Sequence, residues 1–378
     1  MPVYLDCAAT TPIDPRVLEV CTRYLRDDFG NAASRTHAHG TAARRAVEQA
    51  RDQIAAVTAS ARGDVIFTSG ATESNNLALL GLSEEGIRTG KTHIVSTSIE
   101  HRAVLEPLEE LERRGFRLTL VKPNAGGWVE PEKIAEAVCE DTLLVTVMQV
   151  NNETGLMQPI DAIAERLAGK PVYFHSDAAQ GFAKETGALG NERIDLISIS
   201  GHKICGPKGV GALIVRRRGK DRPPLAPLFF GGGHERGLRP GTLPVALIAA
   251  FGQAAELWSR EAKERWRLGL EYRRRLLEGL APLRPVVNGD EARTLPFILN
   301  VSIPGMDSES IMGAWSDLVS VSSGAACTSQ SYTCSHVLHA MGVPAENSAA
   351  AIRFSWCHMT DMPDLAGMVD ALQEVRSH

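Results

Sequence analysis

The sequence predicts an α/β protein: a large domain on a mostly parallel sheet, joined to a smaller α+β domain. Three observations carry this expectation. Short, wholly apolar runs alternate with helical patterns from Val65 to Val215. At Pro244 that alternation gives way to a long stretch rich in Ala, Glu and Arg. The chain has 378 residues and a hydrophobic content of 44%, more than one ordinary domain and enough for a sizeable core.

Each element follows from its own pattern. Val65–Phe67 reads as a strand and Ala71–Leu82 as a helix. His93–Thr97 is a strand, and Ala103–Arg114 a helix closed by Gly115. Leu118–Val121 is a strand, Pro131–Val138 a helix, and Leu143–Val150 a strand. Ile160–Leu167 is a helix closed by Gly169, followed by strands at Val172–His175, Leu196–Ile199 and Val210–Val215. Strands this apolar are buried on both faces, as a seven-stranded, mostly parallel sheet between helices requires. Pro244 to about Leu280 is a long helix leading into the second domain. There Phe297–Ser302 and Leu318–Ser322 read as strands, with Asp307–Trp315 a helix between them. A small-residue loop spans Ser323–Ser335, then come a short helix, a strand at Ala351–Ser355 and a closing helix from Asp361. On this pattern residues 13–258 form the large domain, and residues 1–12 with 259–378 the small one.

Composition narrows the function classes. A net charge of −5 offers no overall attraction for nucleic acid or membrane. The basic clusters Arg216–Arg218 and Arg273–Arg275 read as solvated faces, so no direct nucleic-acid partner is expected. No apolar run approaches the ~20 residues that span a bilayer. Met1–Tyr4 leads straight into polar sequence, and seven cysteines show no framework spacing, so a cytoplasmic protein with reduced thiols is expected.

Polar residues gather where the apolar runs end. Val172–His175 leads into Ser176-Asp177-Ala178-Ala179-Gln180, and Val65–Phe67 into Thr68-Ser69-Gly70-Ala71-Thr72. The run to Val150 yields Asn151-Asn152-Glu153, that at His93 yields Glu100-His101, and Leu196–Ile199 yields Ser200-Gly201-His202-Lys203. Any one of these is an ordinary helix cap. Together, at the carboxyl ends of parallel strands, they predict a polar pocket. Its parts fit pyridoxal 5'-phosphate. Lys203 can hold the aldehyde, Asp177 can keep the pyridine nitrogen protonated, and the Gly70-Ala71-Thr72 turn can offer backbone N–H groups to the phosphate.

These segments carry a resemblance. "YLDCAATTP", "TSGATESNN", "EHRAVLEP", "VNNETG", "SDAAQ", "SGHKICGPKGVGAL", "GGGHERGLRPGTLP", "SSGAACTS" and "IRFS" run in order along nearly the whole chain. The pattern resembles group I cysteine desulfurases of the IscS/NifS type, within the fold-type I pyridoxal phosphate enzymes. The resemblance implies conversion of L-cysteine to L-alanine, with the sulfur taken as a persulfide on Cys327 and passed to an acceptor protein. It implies that Lys203 carries the cofactor and acts as base, that Asp177 pairs with the ring nitrogen, and that Gln180 reaches the ring hydroxyl. His101 would stack on the ring and shuttle protons. Ala71, Thr72, Ser200 and His202 would hold the phosphate, and Thr242 would reach that of a neighbouring subunit, so a homodimer is implied. Asn152 and Arg353 would bind the substrate carboxylate.

The sequence departs from that pattern at Cys7, where Asn is usual, at Cys334, where Pro is usual, at "GNAAS", and at Trp356-Cys357, where Leu-Gly is usual. These departures and the short stretch after the last helix give a narrower resemblance, to the DndA type that feeds DNA phosphorothioate modification. Iron–sulfur assembly and tRNA thiolation stay open as destinations. So do other pyridoxal phosphate reactions, such as transamination or selenocysteine lysis, until a reactive Cys327 is established. The spacing of Cys327, Cys334, His336 and His339 does not match a structural zinc site, so no metal is expected. Cys7, Cys21, Cys139 and Cys205 are expected as packed thiols.

Overall fold

The structure, a computed structural model, describes residues 1–324 and 335–377. It begins with β1 (Val3–Tyr4) and helices α1 (Pro15–Arg26) and α2 (Ala38–Val57). There follow β2 (Val65–Thr68), α3 (Ala71–Leu80), α4 (Ser83–Thr89), β3 (His93–Thr97), α5 (Arg102–Arg113) and β4 (Arg117–Val121). Next come α6 (Pro131–Ala137), β5 (Thr142–Thr146), α7 (Ile160–Arg166), β6 (Tyr173–Asp177), β7 (Leu196–Ser200), β8 (Gly211–Val215) and the long α8 (Val245–Leu280). The remaining strands are β9 (Val286–Val287), β10 (Ile298–Ser302), β11 (Val319–Ser320), β12 (Ser322–Ser323) and β13 (Ala351–Ser355).

Seven strands form one sheet in the order β2-β8-β7-β6-β5-β3-β4. All its pairs are parallel except those of β8, which runs antiparallel to both β7 and β2. Residues 201–210 join β7 to β8, too short a link for the crossover that parallel neighbours need. Alternate residues feed two cores. Phe67, Ile197, Ile199, Ala212 and Ile214 pack on the side of α2, α7 and α8. Ile66, Leu196, Leu213 and Val215 pack on the side of α3 and α5. A sheet buried on both faces is what the unbroken apolar runs demand.

A second, antiparallel sheet has the order β12-β13-β10-β9. Residues 3–11 tie the parts together: β1 pairs with β11, Asp6 bridges to Ser355, and the Thr11 N–H donates to the His202 carbonyl. Among the described residues, no helix is long and apolar enough to cross a membrane.

The structure differs from the sequence expectations in several places. Leu318–Ser322 is not one strand; β11 joins β1, while β12 joins β13 in the other sheet. The strand expected to reach Val150 ends at Thr146, and Val150 bridges instead to Met157. The closing helix starts at Leu365, not Asp361, because Pro363 disfavours helix at the residue before it, and Asp364 accepts from the Gly367 N–H as a cap. Cys139 is exposed, whereas Cys7, Cys21 and Cys205 are buried as expected.

Candidate active site

The carboxyl ends of β2, β6 and β7 open into one cavity of about 640 Å³. Its floor and walls include Asp177, Gln180, Asn75 and Met148, and the β7 end contributes Ser200, His202 and Lys203. Ala71 and Thr72 line it from the start of α3, His101 from the start of α5, and Asn152 and Arg353 from the opposite side. Ten residues named from the sequence thus converge on one space. Thr242 is exposed and does not line this cavity. Cys327 and Cys334 lie outside the described residues.

Local structure explains how each group arrives. Lys203 closes a single turn of 3-10 helix, Gly201–Lys203, directly after β7. Its Nζ donates to the carbonyl oxygens of Ala8 and, at 2.7 Å, Ala9. Asp177 is the last residue of β6, so strand geometry rather than a loop fixes it. Its Oδ2 accepts from Asn75 Nδ2 at 2.8 Å, and its Oδ1 from the Ala179 N–H at 2.9 Å. Gln180 Nε2 donates to the Ala8 carbonyl at 2.8 Å. Arg353 is 2% exposed; its Nη1 donates to the Asn152 carbonyl at 3.0 Å and its Nη2 pairs with Asp6.

Two histidines are held neutral at ordinary pH. Burial pushes His202 down to about 4, with Lys203 and Lys208 adding repulsion, and its Nδ1 lies 3.2 Å from Thr10 Oγ1. Burial also lowers His101, Asp177 opposing and Lys203 reinforcing the shift. His101 Nδ1 accepts from the Ala103 N–H at 3.0 Å, so the neutral ring carries its proton on Nε2.

The β2–α3 turn is shaped for an anion. Gly70 has φ of 155° and leaves the start of α3 without a side-chain cap. A Cβ at Gly211 would stand 2.6 Å from the Gly70 Cα, so only glycine lets β8 approach this turn. The hydroxyl of Ser200 is buried with no hydrogen-bond partner among the described residues, as are Gln180 Oε1 and Asn75 Oδ1. An uncapped helix start, orphaned polar atoms, a lysine and a fixed carboxylate together fit a phosphorylated, electron-accepting heterocycle with an aldehyde.

Residues 3–367 match the family model described as aminotransferase class-V. The chain belongs to the class-V aminotransferase family. A cysteine desulfurase named IscS, from Vibrio cholerae, is 43% identical over 376 residues, covering 99% of this class-V aminotransferase and 92% of that protein. A solved structure titled NifS-like protein has TM-score 0.90 and 34% identity over 100% of both chains. DndA from Streptomyces lividans has TM-score 0.83 and 47% identity, covering 94% of this chain and 99% of its own. This member of the family is a pyridoxal-phosphate-dependent cysteine desulfurase that transfers sulfur from L-cysteine.

Sequence reasoning missed several groups. Asn75 lies inside "TSGATESNN" but one helical turn from Thr72, on the face that reaches β6. The Ala8 and Ala9 carbonyls carry no side-chain signal at all. Asp6 is the ion-pair partner of Arg353 across 347 residues, which no local pattern reveals.

Proposed function

We propose that Lys203 holds the cofactor and then takes the substrate Cα proton on its Nζ. Bound pyridoxal phosphate supplies an electron sink for charge developing at that carbon. Asp177 stabilises the protonated ring nitrogen, while Gln180 and His101 position the ring. Ala71, Thr72, Ser200 and His202 bind the phosphate, and Thr242 reaches the phosphate of the second subunit in a homodimer. Asn152 and Arg353 bind the substrate carboxylate; exchanging the Asp6 partner for that carboxylate would keep the buried guanidinium paired. Cys327 takes the sulfur: its S–S bond forms as the substrate C–S bond breaks, leaving L-alanine and a persulfide. The observation that carries this reading is the convergence of Lys203, Asp177 and Arg353 on one cavity. The described flanks of the Cys327 segment add support. Ser322 pairs with Arg353 in the β12–β13 register, and Ser335 donates to Glu153, next to Asn152.

The division into residues 13–258 and the remainder is part of the same proposal, supported by the separation of the seven-stranded from the four-stranded sheet. So is a cytoplasmic setting. The acceptor we favour is a protein of DNA phosphorothioate modification, supported by 47% identity to DndA. The 43% identity to IscS supports iron–sulfur assembly as a second reading.

The test loads the purified enzyme with ³⁵S-labelled L-cysteine and offers the label to candidate acceptors of both classes. Equimolar alanine and sulfide under a reducing thiol supports the reaction, and alanine without sulfide would exclude it. Label passing only to iron–sulfur scaffolds would exclude the phosphorothioation reading. Sedimentation showing a monomer would exclude the role of Thr242.

A further inference from the structure

Cys7, Cys205 and Cys357 form a separate buried cluster. They come from three distant segments: the turn after β1, the second residue beyond Lys203, and the second residue beyond β13. Each is at most 4% exposed, and none is in a disulfide. Thr360 Oγ1 lies 3.6 Å from Cys357 Sγ and 4.0 Å from Cys7 Sγ.

An imidazole joins two of these thiols. Ligand-competent atoms of Cys205, Cys357 and His358 lie within 4.8 Å of one another. His358 Nε2 is 3.2 Å from Asp14 Oδ2, while its Nδ1 is buried with no partner among the described residues. A carboxylate on one ring nitrogen and an open lone pair on the other is how metal-binding imidazoles are held. Apolar packing does not account for that orphaned nitrogen, because an unsatisfied buried polar atom is destabilising.

We infer that Cys205, Cys357 and His358 bind one thiophilic cation, with Zn²⁺ as the ion to test. Zn²⁺ takes sulfur and imidazole ligands in a tetrahedron. On binding, the two thiols release their protons to solvent and coordinate as thiolates, and His358 coordinates through neutral Nδ1. Entry is through a cleft of about 160 Å³ bordered by Cys357, His358 and Thr360. The ion would cross-link the Lys203 turn and the exit of the strand bearing Arg353. The other candidate group, His93, Cys139 and Asp141, is less suited. Both ring nitrogens of His93 meet threonine hydroxyls, and the Arg117 guanidinium already contacts Cys139 and Asp141.

The test uses the cofactor-loaded enzyme carrying Cys327→Ala, Cys334→Ala and Cys139→Ser, which removes the competing thiols. The protein is stripped with a chelator and titrated with Zn²⁺ against a chromophoric competitor. Co²⁺ is titrated in parallel and read by its long-wavelength ligand-field bands. One equivalent of Zn²⁺ per chain is expected, with affinity at least about tenfold weaker after adding Cys357→Ser. No stoichiometric Zn²⁺ in the parent, or unchanged affinity in Cys357→Ser, overturns the proposal. If Cys357→Ser fails to fold by circular dichroism, His358→Asn carries the same comparison and the same two outcomes.

Discussion

Asn75 Nδ2 stands 2.8 Å from Asp177 Oδ2, so helix α3 holds a carboxylate presented by strand β6. The Ala179 N–H holds the other oxygen at 2.9 Å. The carboxylate plane is therefore set from two sides by elements whose positions the sheet already fixes, a requirement for electrostatic catalysis.

Asn75→Ala should leave Asp177 in place but loosen its orientation. A hydrogen bond to a charged group is worth about 1.5–3 kcal/mol. Exchange of the substrate Cα proton into deuterated water, followed by NMR, should slow by about ten- to a hundredfold, and Asp177→Ala should slow it further. Wild-type exchange in Asn75→Ala would show that the Ala179 N–H suffices.

Lys203→Ala should abolish turnover and the enzyme's visible colour. In the parent, borohydride should fix the cofactor covalently on the peptide containing Lys203, as read by mass spectrometry. Alanine release at a normal rate from Lys203→Ala would rule out its role as base.

Cys327→Ser should keep the colour and bind L-cysteine, since neither needs the thiol. It should release no sulfide above background and carry no ³⁵S after exposure to labelled substrate. Label appearing on Cys334 instead would make that cysteine the nucleophile.

Glu100 gives a pH prediction for stability. It is completely buried, accepting from Thr97 Oγ1 at 2.7 Å and the Met148 N–H at 2.9 Å, and burial pushes its pKa up to about 8. Its neutral form is thus the folded form at pH 7. Below the ordinary value near 4.5 both states are protonated and its contribution to stability is fully present. As pH rises towards about 8 the unfolded chain ionises first, and that contribution is lost. Glu100→Gln should flatten this slope, narrowing the difference between urea midpoints at pH 5 and pH 8. Parallel curves for parent and variant would count against the shift.

Much of this architecture was legible because it depends on local periodicity. The strands from Val65 to Val215 are apolar on both faces, and their polar ends announce the cavity. Helix α1 was overlooked although Asp14-Pro15 is a strong start signal: Asp14 accepts from the Arg16 N–H, and proline sits in the first turn. Helix α2 was overlooked because half of its buried face is alanine, a weak apolar stripe that closes against α8. The Asp6–Arg353 pair and the thiol cluster depend on the pairing of remote segments, and sequence spacing carries no record of that pairing.

The path of residues 3–11 has a consequence for biosynthesis. The Ala8 N–H donates to Ser355 Oγ at 2.7 Å, across 347 positions. Ser355 follows Ala8 by 347 positions, whereas the stretch's partners Gln180, His202 and Lys203 come well before Ser355. Such distant pairings are slow to form. A nascent chain can assemble the seven-stranded sheet and meet these nearer partners, but the bond from the Ala8 N–H waits until Ser355 is made. Final seating of the segment that receives Lys203 is thereby deferred until Ser355 is made, and chains truncated before Ser355 should hold the cofactor less tightly.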